Sequence, residues 1–214
     1  SGHTHWQAHQ LIRKKDGWMG AEPHHHLINV TVSGSWWSGL PDEWGVPHTT
    51  MRDGAPNGYT ILKFSENRKP EIVFKAARGP EEFQMSVFAP DSIELGNVKE
   101  TLVYVNVFNG WDDSVVQVRW NSEGNWQTMD KSLEKDPNHQ AVFDREPETP
   151  PSPYKRISAP VDSRHLWKGR LNPDIGVGVH ALQVRATDVN GKWHRAERIV
   201  RVKKNAVGAT DPQP

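Results

Sequence analysis

The opening residues "SGHTHWQAH" contain three histidines, His3, His5 and His9. His3 and His5 are two positions apart, so both side chains project from one side of an extended segment and can reach the same metal centre. Gly2 allows the backbone before them to turn tightly. Two imidazoles alone make a weak site, because a catalytic metal usually has at least three protein ligands. The pattern leaves two interpretations open: a metal-binding turn, or exposed polar histidines at a terminus.

A second group of reactive side chains, His48, Arg52 and Asp53, lies in an irregular stretch beside "DGAPNG". A guanidinium can bind phosphate oxygens in bidentate geometry, and an imidazole can donate a proton to a leaving group. These residues are therefore candidates to line a catalytic cleft. In the competing interpretation Asp53 caps a turn and Arg52 pairs with it.

A run of three histidines, His24, His25 and His26, follows Pro23. Consecutive side chains in a strand point to opposite faces, so the three cannot converge on one ion. One of them could line a cleft, and the alternative is polar packing or an exposed surface.

The chain contains ten tryptophans, a high count for 214 residues. An indole N–H is costly to bury without a partner, so several of them are expected at edges, clefts or interfaces. Trp36, Trp37 and Trp44 could form an apolar wall of a substrate cleft, or they could anchor the core and pack against a neighbouring domain. Trp120 falls on the apolar side of an alternating run and is expected in the core. An exposed subset could stack on sugar rings.

The composition excludes several classes of protein. Lys plus Arg equals Asp plus Glu, at 26 each, without a long basic run. This balance argues against nucleic acid or an anionic membrane as the main partner, because such binding needs clustered cations. The absence of cysteine excludes disulfide frameworks, thiolate metal sites and thiol nucleophiles. No apolar run is long enough to predict a membrane span, and no secretory signal is visible.

Short strands dominate the predicted secondary structure. The strand-like segments are "LINVTVS" (27–33), "YTILKF" (59–64), "EIVFK" (71–75), "LVYVNVF" (102–108), "VVQVRW" (115–120), "HALQVRAT" (180–187) and the later "RIVRVKK". Helical periodicity is weak, with short turns at most near 8–14 and 161–167. Asn190-Gly191 predicts a tight hairpin turn. The predicted fold class is all-β, with the short strands and frequent turns of a sandwich.

Two segments without periodicity divide the chain. Residues 34–58 combine Gly, Pro and Trp, which predicts a long ordered loop of functional type. Residues 144–160 are rich in proline and are expected to form an extended surface connection. The expected organisation is an N-terminal unit at 1–90, an immunoglobulin-like β-sandwich at 91–205, and a flexible tail at 206–214.

The segment "SGHTH" resembles G-H-x-H, the last metal-binding motif of the calcineurin-like metallophosphoesterases. The block 34–59 looks like the segment that follows this motif in one bacterial branch, and "MSVFAPD", "VNVFNG", "SRHLW" and "HALQVRATDVNGKW" resemble the β-domain appended there. The resemblance implies that 1–90 supply the closing strands of a metallophosphoesterase catalytic domain. It also implies two divalent cations such as Mn, Fe or Zn, with His3 on one metal and His5 on the other. In this family the metals activate a bridging water and stabilise charge during in-line displacement of a phosphate ester.

One departure from the family pattern is large. The motifs D-x-H, G-D-x-x-D and G-N-H-E/D, which precede G-H-x-H in the family, are not found in the sequence. Without their carboxylates two dications would repel each other strongly. We therefore expect a C-terminal portion that needs an upstream catalytic domain as its partner and is inactive by itself. Unpaired strand edges further predict self-association.

Two alternatives remain. The β-sandwich could act as an independent module that binds a glycan, the cell surface or a second copy of the chain. The histidine-rich end could also bind one transition metal without any upstream domain. The resemblance to a bacterial branch favours an exported or periplasmic protein.

Overall fold

Strands account for most of the regular structure, as the alternating sequence pattern predicts. The computed structural model describes residues 3–66, 69–171 and 175–205. Within these ranges thirteen strands form four sheets, accompanied by one α-helix and two 3-10 helices, at Lys14–Asp16 and Leu95–Glu100. The all-β fold class is confirmed. No helix in these ranges is long and apolar enough to cross a membrane.

Two separate hairpins form the N-terminal part of the chain. Strand β1 (Ala8–Ile12) pairs with β2 (His24–Ile28), and β3 (Gly58–Lys63) pairs with β4 (Glu71–Ala76), both antiparallel. Within the described residues neither hairpin gains a third strand. Because isolated two-stranded sheets are marginal in water, packing elsewhere must hold both hairpins in place.

The long irregular loop predicted from sequence connects these two hairpins. The strand predicted over 27–33 ends at Ile28, because Gly34 N donates to Thr31 O (3.1 Å) and turns the chain. Pairing within the loop is limited to one isolated bridge between Pro41 and Pro47. A small apolar core nevertheless orders the loop, and its buried members are Val30, Met51, Ala55, Phe74, Ala76 and Phe108.

Two larger sheets form the rest of the molecule. The first has strand order β10-β11-β7-β5 and the second β6-β13-β12-β8-β9. The strands are β5 (Met85–Phe88), β6 (Ser92–Glu94), β7 (Leu102–Val107), β8 (Val116–Trp120), β9 (Gln127–Thr128), β10 (Asp130–Lys135), β11 (Asp162–Arg170), β12 (Gly178–Thr187) and β13 (Trp193–Lys203). Pairing is antiparallel except between β6 and β13. We call these two sheets together the two-sheet unit.

One apolar core joins both sheets of this unit. It contains the alternate residues of three central strands, Val103, Val105 and Val107 of β7, Val116, Val118 and Trp120 of β8, and Leu182, Val184 and Ala186 of β12. The intervening residues point to the opposite face of each strand, as period-2 alternation requires. On β8 and β12 that face is partly exposed, whereas Asn106 of β7 is buried there. The expectation that Trp120 belongs to the core is confirmed.

Three local predictions differ from the structure. The helical turns expected near 8–14 and 161–167 are wrong, since β1 and β11 occupy most of those residues and ladder pairing outweighs weak local propensity. The one α-helix among the described residues, α1 (Pro137–Arg145), was not predicted, although Asp136 caps it and proline occupies its first turn. In the loop after β12, Gly191 has a φ of 78°, whereas Asn190 is not left-handed. The connection is therefore longer than a two-residue turn.

Candidate functional site

The segment containing His3 and His5 forms a tight turn just before β1. His5 is only 6% exposed and has a φ of 55°, a conformation uncommon for a residue with a Cβ. Its ring stacks on Trp36, with centroids 4.3 Å apart, and its Nδ1 donates to the backbone oxygen of Gly34. That bond places the proton on Nδ1 and leaves Nε2 with a free lone pair. His3 is exposed, and Gly2 lies outside the described residues.

The histidine turn borders a shallow depression of about 550 Å³. Its lining residues are His3, Thr4, His5, Trp6, Trp36, Arg52, Ser158 and Ala159. The backbone around it is strained: besides His5, Trp36 and Trp37 have φ values of 70° and 51°. Such left-handed residues cost energy and cluster at functional sites. The structure thus brings both predicted metal ligands and one predicted cleft residue to the same depression.

Arg52 ties the histidine turn to a distant part of the chain. Its backbone N donates to His5 O (3.0 Å), while its side-chain Nε donates to Ala159 O (3.2 Å). Val161 N in turn donates to Arg52 O (2.9 Å). Nε is thereby occupied, and the two terminal amino groups have no hydrogen bond to another described residue. They are the donors that remain for an anion in the depression.

Asp53 is fully interior, at 1% exposure, and so does not line a cleft in this chain. Its Oδ2 accepts from Gln7 N (2.5 Å) and its Oδ1 from Ala55 N (3.2 Å). Oδ2 also lies 2.9 Å from Nε2 of His165, which is 0% exposed on β11. Asp53 therefore connects the histidine turn to the two-sheet unit, and it does not pair with Arg52 among the ion pairs described.

His165 uses both ring nitrogens for buried hydrogen bonds, one to Asn106 and one to Asp53. Nδ1 of His165 lies 2.6 Å from Oδ1 of Asn106, whose Nδ2 donates to Asp53 O and to Asp136 Oδ2, both at 2.9 Å. Because the amide is oriented by those two donations, its oxygen must accept from His165. The ring thus donates from Nδ1 to Asn106, and its Nε2 forms a second buried hydrogen bond with the Asp53 carboxyl group.

Two glycines make this close packing possible. A Cβ on Gly34 would lie 1.6 Å from Thr49 O, and a Cβ on Gly54 would lie 2.3 Å from Cβ of Asp136. Both glycines also have positive φ values, 52° and 87°. Only glycine satisfies the conformation and the space at these positions.

His9 belongs to a separate chain of hydrogen bonds on β1 and β2. Asn109 donates through Nδ2 to Ile72 O, so its Oδ1 accepts from Nε2 of His9 (3.0 Å). Nδ1 of His9 then accepts from Nε2 of His25 (3.0 Å). Burial, and next the neighbouring His25, lower the pKa of His9 to about 3. Burial and then Lys69 also lower the pKa of His25, so both rings are neutral at physiological pH.

The remaining predicted residues lie elsewhere. His24 is exposed beside Trp18, and its two neighbours in the histidine run do not join it at a common point, as strand alternation predicts. His48 is half-buried in another depression, with Asp42, Trp44 and Arg78 among its lining residues. It does not share the depression of His3 and His5.

The loop tryptophans are largely uncovered. Trp36 is 70% exposed and Trp44 67%, and Trp37 lies beneath the guanidinium of Arg78 at 6.0 Å. Trp36 lines the depression of His3 and His5, Trp44 lines that of His48, and neither belongs to the small apolar core of the loop.

No group of three or more His, Cys, Asp or Glu side chains with metal-binding geometry occurs in the described part of the chain. His3 and His5 therefore lack a third side-chain ligand from these residues. Buried polar atoms beside the turn also have no protein partner there: Thr4 Oγ1, Ser35 Oγ and both amide atoms of Gln7. Buried polar atoms are normally hydrogen-bonded, so these atoms beside the turn could still accept or donate a hydrogen bond to an additional group.

Sequence reasoning missed the buried partners Gln7, Asn106, Asp136 and His165. The available signal was a polar residue inside an apolar strand segment, as in "VNVF" and "RHLW". A buried polar side chain in such a place requires a partner. The identity of that partner could not be derived, because the bonds span 30 to 112 residues of sequence.

Comparison with known proteins gives one family match. The model for the C terminal of Calcineurin-like phosphoesterase matches residues 26–194. No curated protein and no solved structure matches the chain. The matched range includes the long loop and nearly all of the two-sheet unit, and it begins after the histidine turn.

Proposed function

The chain belongs to the family of C-terminal regions of calcineurin-like phosphoesterases, and from that membership we propose that it completes a two-metal phosphoric-ester hydrolase. In this proposal the upstream catalytic domain supplies the carboxylate, amide and remaining histidine ligands. His3 and His5 supply the last two. The two-sheet unit is an immunoglobulin-like sandwich that supports the histidine turn.

The hydrogen bond from His5 Nδ1 to Gly34 O is the observation that carries the proposal. Metal-binding histidines almost always donate the other ring N–H to a carbonyl or carboxylate, which fixes the tautomer and the ring orientation. His5 has that partner already, and its Nε2 lone pair is available. The unpaired polar atoms around the turn further support an additional group at this place.

The residues that would hold the metals in this chain are His3 and His5, one metal each. Bound divalent cations supply Lewis acidity toward a phosphate ester and lower the pKa of bound water. The chain's own contribution is orientation: stacking on Trp36 fixes the His5 ring plane, and the bond from Arg52 N to His5 O fixes the turn. Imidazole ligands accept Mn, Fe or Zn, so metal identity stays open.

Arg52 is proposed to bind a non-bridging oxygen of the phosphate. Its guanidinium lines the same depression as both histidines, and its terminal amino groups keep free hydrogens. A guanidinium is a strong and directional partner for a phosphate oxygen. His48 lies in a different depression, so we assign it no role in the reaction.

Asp53 is proposed as a positioning residue. It holds the turn through Gln7 N and is itself held by His165 of β11. In this way the two-sheet unit sets the position of the histidine turn through buried bonds. Without that support the ligands would have to be ordered at the moment of metal binding, at a cost in conformational entropy.

The upstream domain is proposed to cover the open side of the N-terminal hairpins. Strand β3 exposes large side chains, including Leu62 (47%) and, just beyond its end, Phe64 (76%). Trp36 and Trp44 are exposed on the adjoining loop. Exposed aromatic surface and unpaired strand edges are typical of an interface with a missing neighbour.

The test is hydrolysis of p-nitrophenyl phosphate with Mn²⁺ by the protein that carries this chain together with an upstream catalytic domain. We expect the His3→Ala/His5→Ala variant to lose turnover by at least about 100-fold, as for loss of metal ligands. The matched control is His24→Ala/His26→Ala, which removes two histidines outside the depression and should keep activity. Equal turnover in wild type and the His3/His5 variant would refute the assigned roles.

A further inference from the structure

The outer face of the five-stranded sheet carries arginines interleaved with tryptophans. The guanidinium of Arg185 lies 4.3 Å from the ring centroid of Trp126 and 5.0 Å from that of Trp193. The guanidinium of Arg119 lies 4.5 Å from the same Trp126 ring. Each contact is within the range of a cation–π interaction. We call the face that carries Arg119, Arg185, Arg195 and Arg201 the cationic face.

Side-chain amides fix the orientation of the two stacked arginines. Arg119 Nε donates to Gln183 Oε1 (2.9 Å), and Arg185 Nε donates to Gln117 Oε1 (2.8 Å). The side-chain amide nitrogen of Gln117 donates in turn to Thr128 Oγ1 (3.2 Å). Both guanidiniums therefore use only Nε in the protein, and their four terminal amino groups have no described protein acceptor.

The arginines of this face form no ion pair within the described chain. None of the ion pairs there involves Arg119, Arg185, Arg195 or Arg201. Arg195 is paired in register directly opposite Arg185, an unfavourable arrangement of like charges. The nearby acid Glu197 accepts from Gln183 rather than from an arginine. In a chain of zero net charge, this concentration of cations on one face calls for an external anion.

We propose that the cationic face binds a polysaccharide that carries oxyanion groups, carboxylate or sulfate. A guanidinium held in place by stacking and by an amide presents a preorganised fork for an oxyanion, so little entropy is lost on binding. The amides of Gln117 and Gln183 and the hydroxyl of Thr128 lie beside the arginines on the same face and are suited to sugar hydroxyl groups. The long strands of this sheet can accommodate an extended chain with repeated charges.

The same observations disfavour other polyanions. Proteins that bind single-stranded nucleic acid offer open aromatic faces for base stacking, whereas guanidiniums already cover Trp126 on this sheet. Attraction to an anionic membrane relies on flexible basic segments, whereas two of these arginines are fixed by hydrogen bonds. This inference does not depend on the proposed phosphoesterase function.

The test is calorimetric titration of the full chain with polygalacturonate, with dextran sulfate and with neutral dextran. We expect at least one charged polymer to bind and dextran not to bind. Stronger binding of polygalacturonate would assign carboxylate as the recognised group, and stronger binding of dextran sulfate would assign sulfate.

The matched variants separate this face from general charge. R119Q/R185Q should weaken binding by about tenfold or more, the value of one or two lost charge-assisted bonds. K99Q/R145Q removes two exposed cations elsewhere and should bind as wild type does. If R119Q/R185Q fails to fold by circular dichroism, R195Q replaces it, with a loss of about threefold expected from reduced charge.

Three outcomes would overturn the proposal. They are absence of binding to either charged polymer at low salt, equal loss of affinity in K99Q/R145Q, and binding of oligothymidylate or phosphatidylserine vesicles as tight as that of the polysaccharide.

Discussion

The tautomer of His5 is fixed by a single backbone oxygen, that of Gly34. Gly34 can occupy this place only because it lacks a Cβ, which would lie 1.6 Å from Thr49 O. Its positive φ of 52° adds a second requirement for glycine. The orientation of His5, the proposed metal ligand, thus depends on Gly34, a residue without a side chain.

We expect Gly34→Ala to lower the free energy of unfolding by about 3 kcal/mol or more, because it combines a steric clash with an unfavourable φ. The measurement is urea unfolding followed by tryptophan fluorescence. Gly17→Ala is the control: Gly17 also has a positive φ, 88°, but a Cβ at that position would meet no atom within 4 Å. It should cost only about 1 kcal/mol, and an equal loss in both variants would contradict the steric role of Gly34.

The buried pair of Asp53 and His165 makes a second residue-level prediction. Asp53→Asn keeps the shape of the side chain but leaves His165 without its carboxylate, so we expect a loss of roughly 3 kcal/mol. Asp112→Asn removes an exposed ion pair with Lys131 and should change stability by less than about 1 kcal/mol. Chemical denaturation of both variants gives the comparison. A small effect at Asp53 would show that the pair does not hold the turn.

His9 predicts a specific pH dependence of stability. Its pKa in the folded chain is about 3, below the ordinary 6.5, so the unfolded chain takes up a proton first as the pH falls. Stability is complete above about pH 6.5 and decreases toward pH 3. At about pH 5 the loss from this residue is about 2 kcal/mol. His9→Gln should reduce the difference in unfolding free energy between about pH 7 and about pH 5 by that amount.

At the scale of elements, β11 connects the two parts of the molecule. It pairs with β10 and β7 in the first sheet, and its His165 reaches the Asp53 loop. Phe108, directly after β7, makes a second connection by packing against Phe74 of β4, with ring centroids 5.3 Å apart. The N-terminal hairpins are thus attached to the two-sheet unit through polar and apolar contacts together.

The two hairpins also make a prediction about association. Their edges are unpaired in the described chain, and β3 and the loop expose aromatic side chains. We expect the chain to self-associate in sedimentation at micromolar concentration. Trp36→Ser/Trp44→Ser should shift the distribution toward monomer, whereas Leu133→Ser, on a different exposed site, should not. A monodisperse wild-type monomer would contradict this prediction.

At the scale of the whole molecule, the two proposed roles lie on different surfaces. The histidine turn and Arg52 border a depression between the N-terminal segment and residues 158–159. The cationic face lies on the five-stranded sheet, on its strands β8, β12 and β13. A phosphoesterase whose support domain binds a charged polysaccharide would act close to that polymer, and each role can be tested without the other.

The sequence by itself determined the all-β fold class, the positions of strands β8 and β12, and the family. Strand alternation is a local property, so Val116, Val118 and Trp120 reveal their buried face without a partner. The proposed metal-binding role of His3 and His5 also comes from local spacing and from a family motif.

Only the tertiary structure decided which side chains meet. Asp53 and His165 are 112 positions apart, and Arg119 and Gln183 are 64 apart, so no local pattern could pair them. Burial of Asp53, separation of His48 from Arg52, and a cationic face in a chain with no net charge all arise from sheet packing. Long-range packing determines burial and charge neighbours, and these in turn determine what each residue can do.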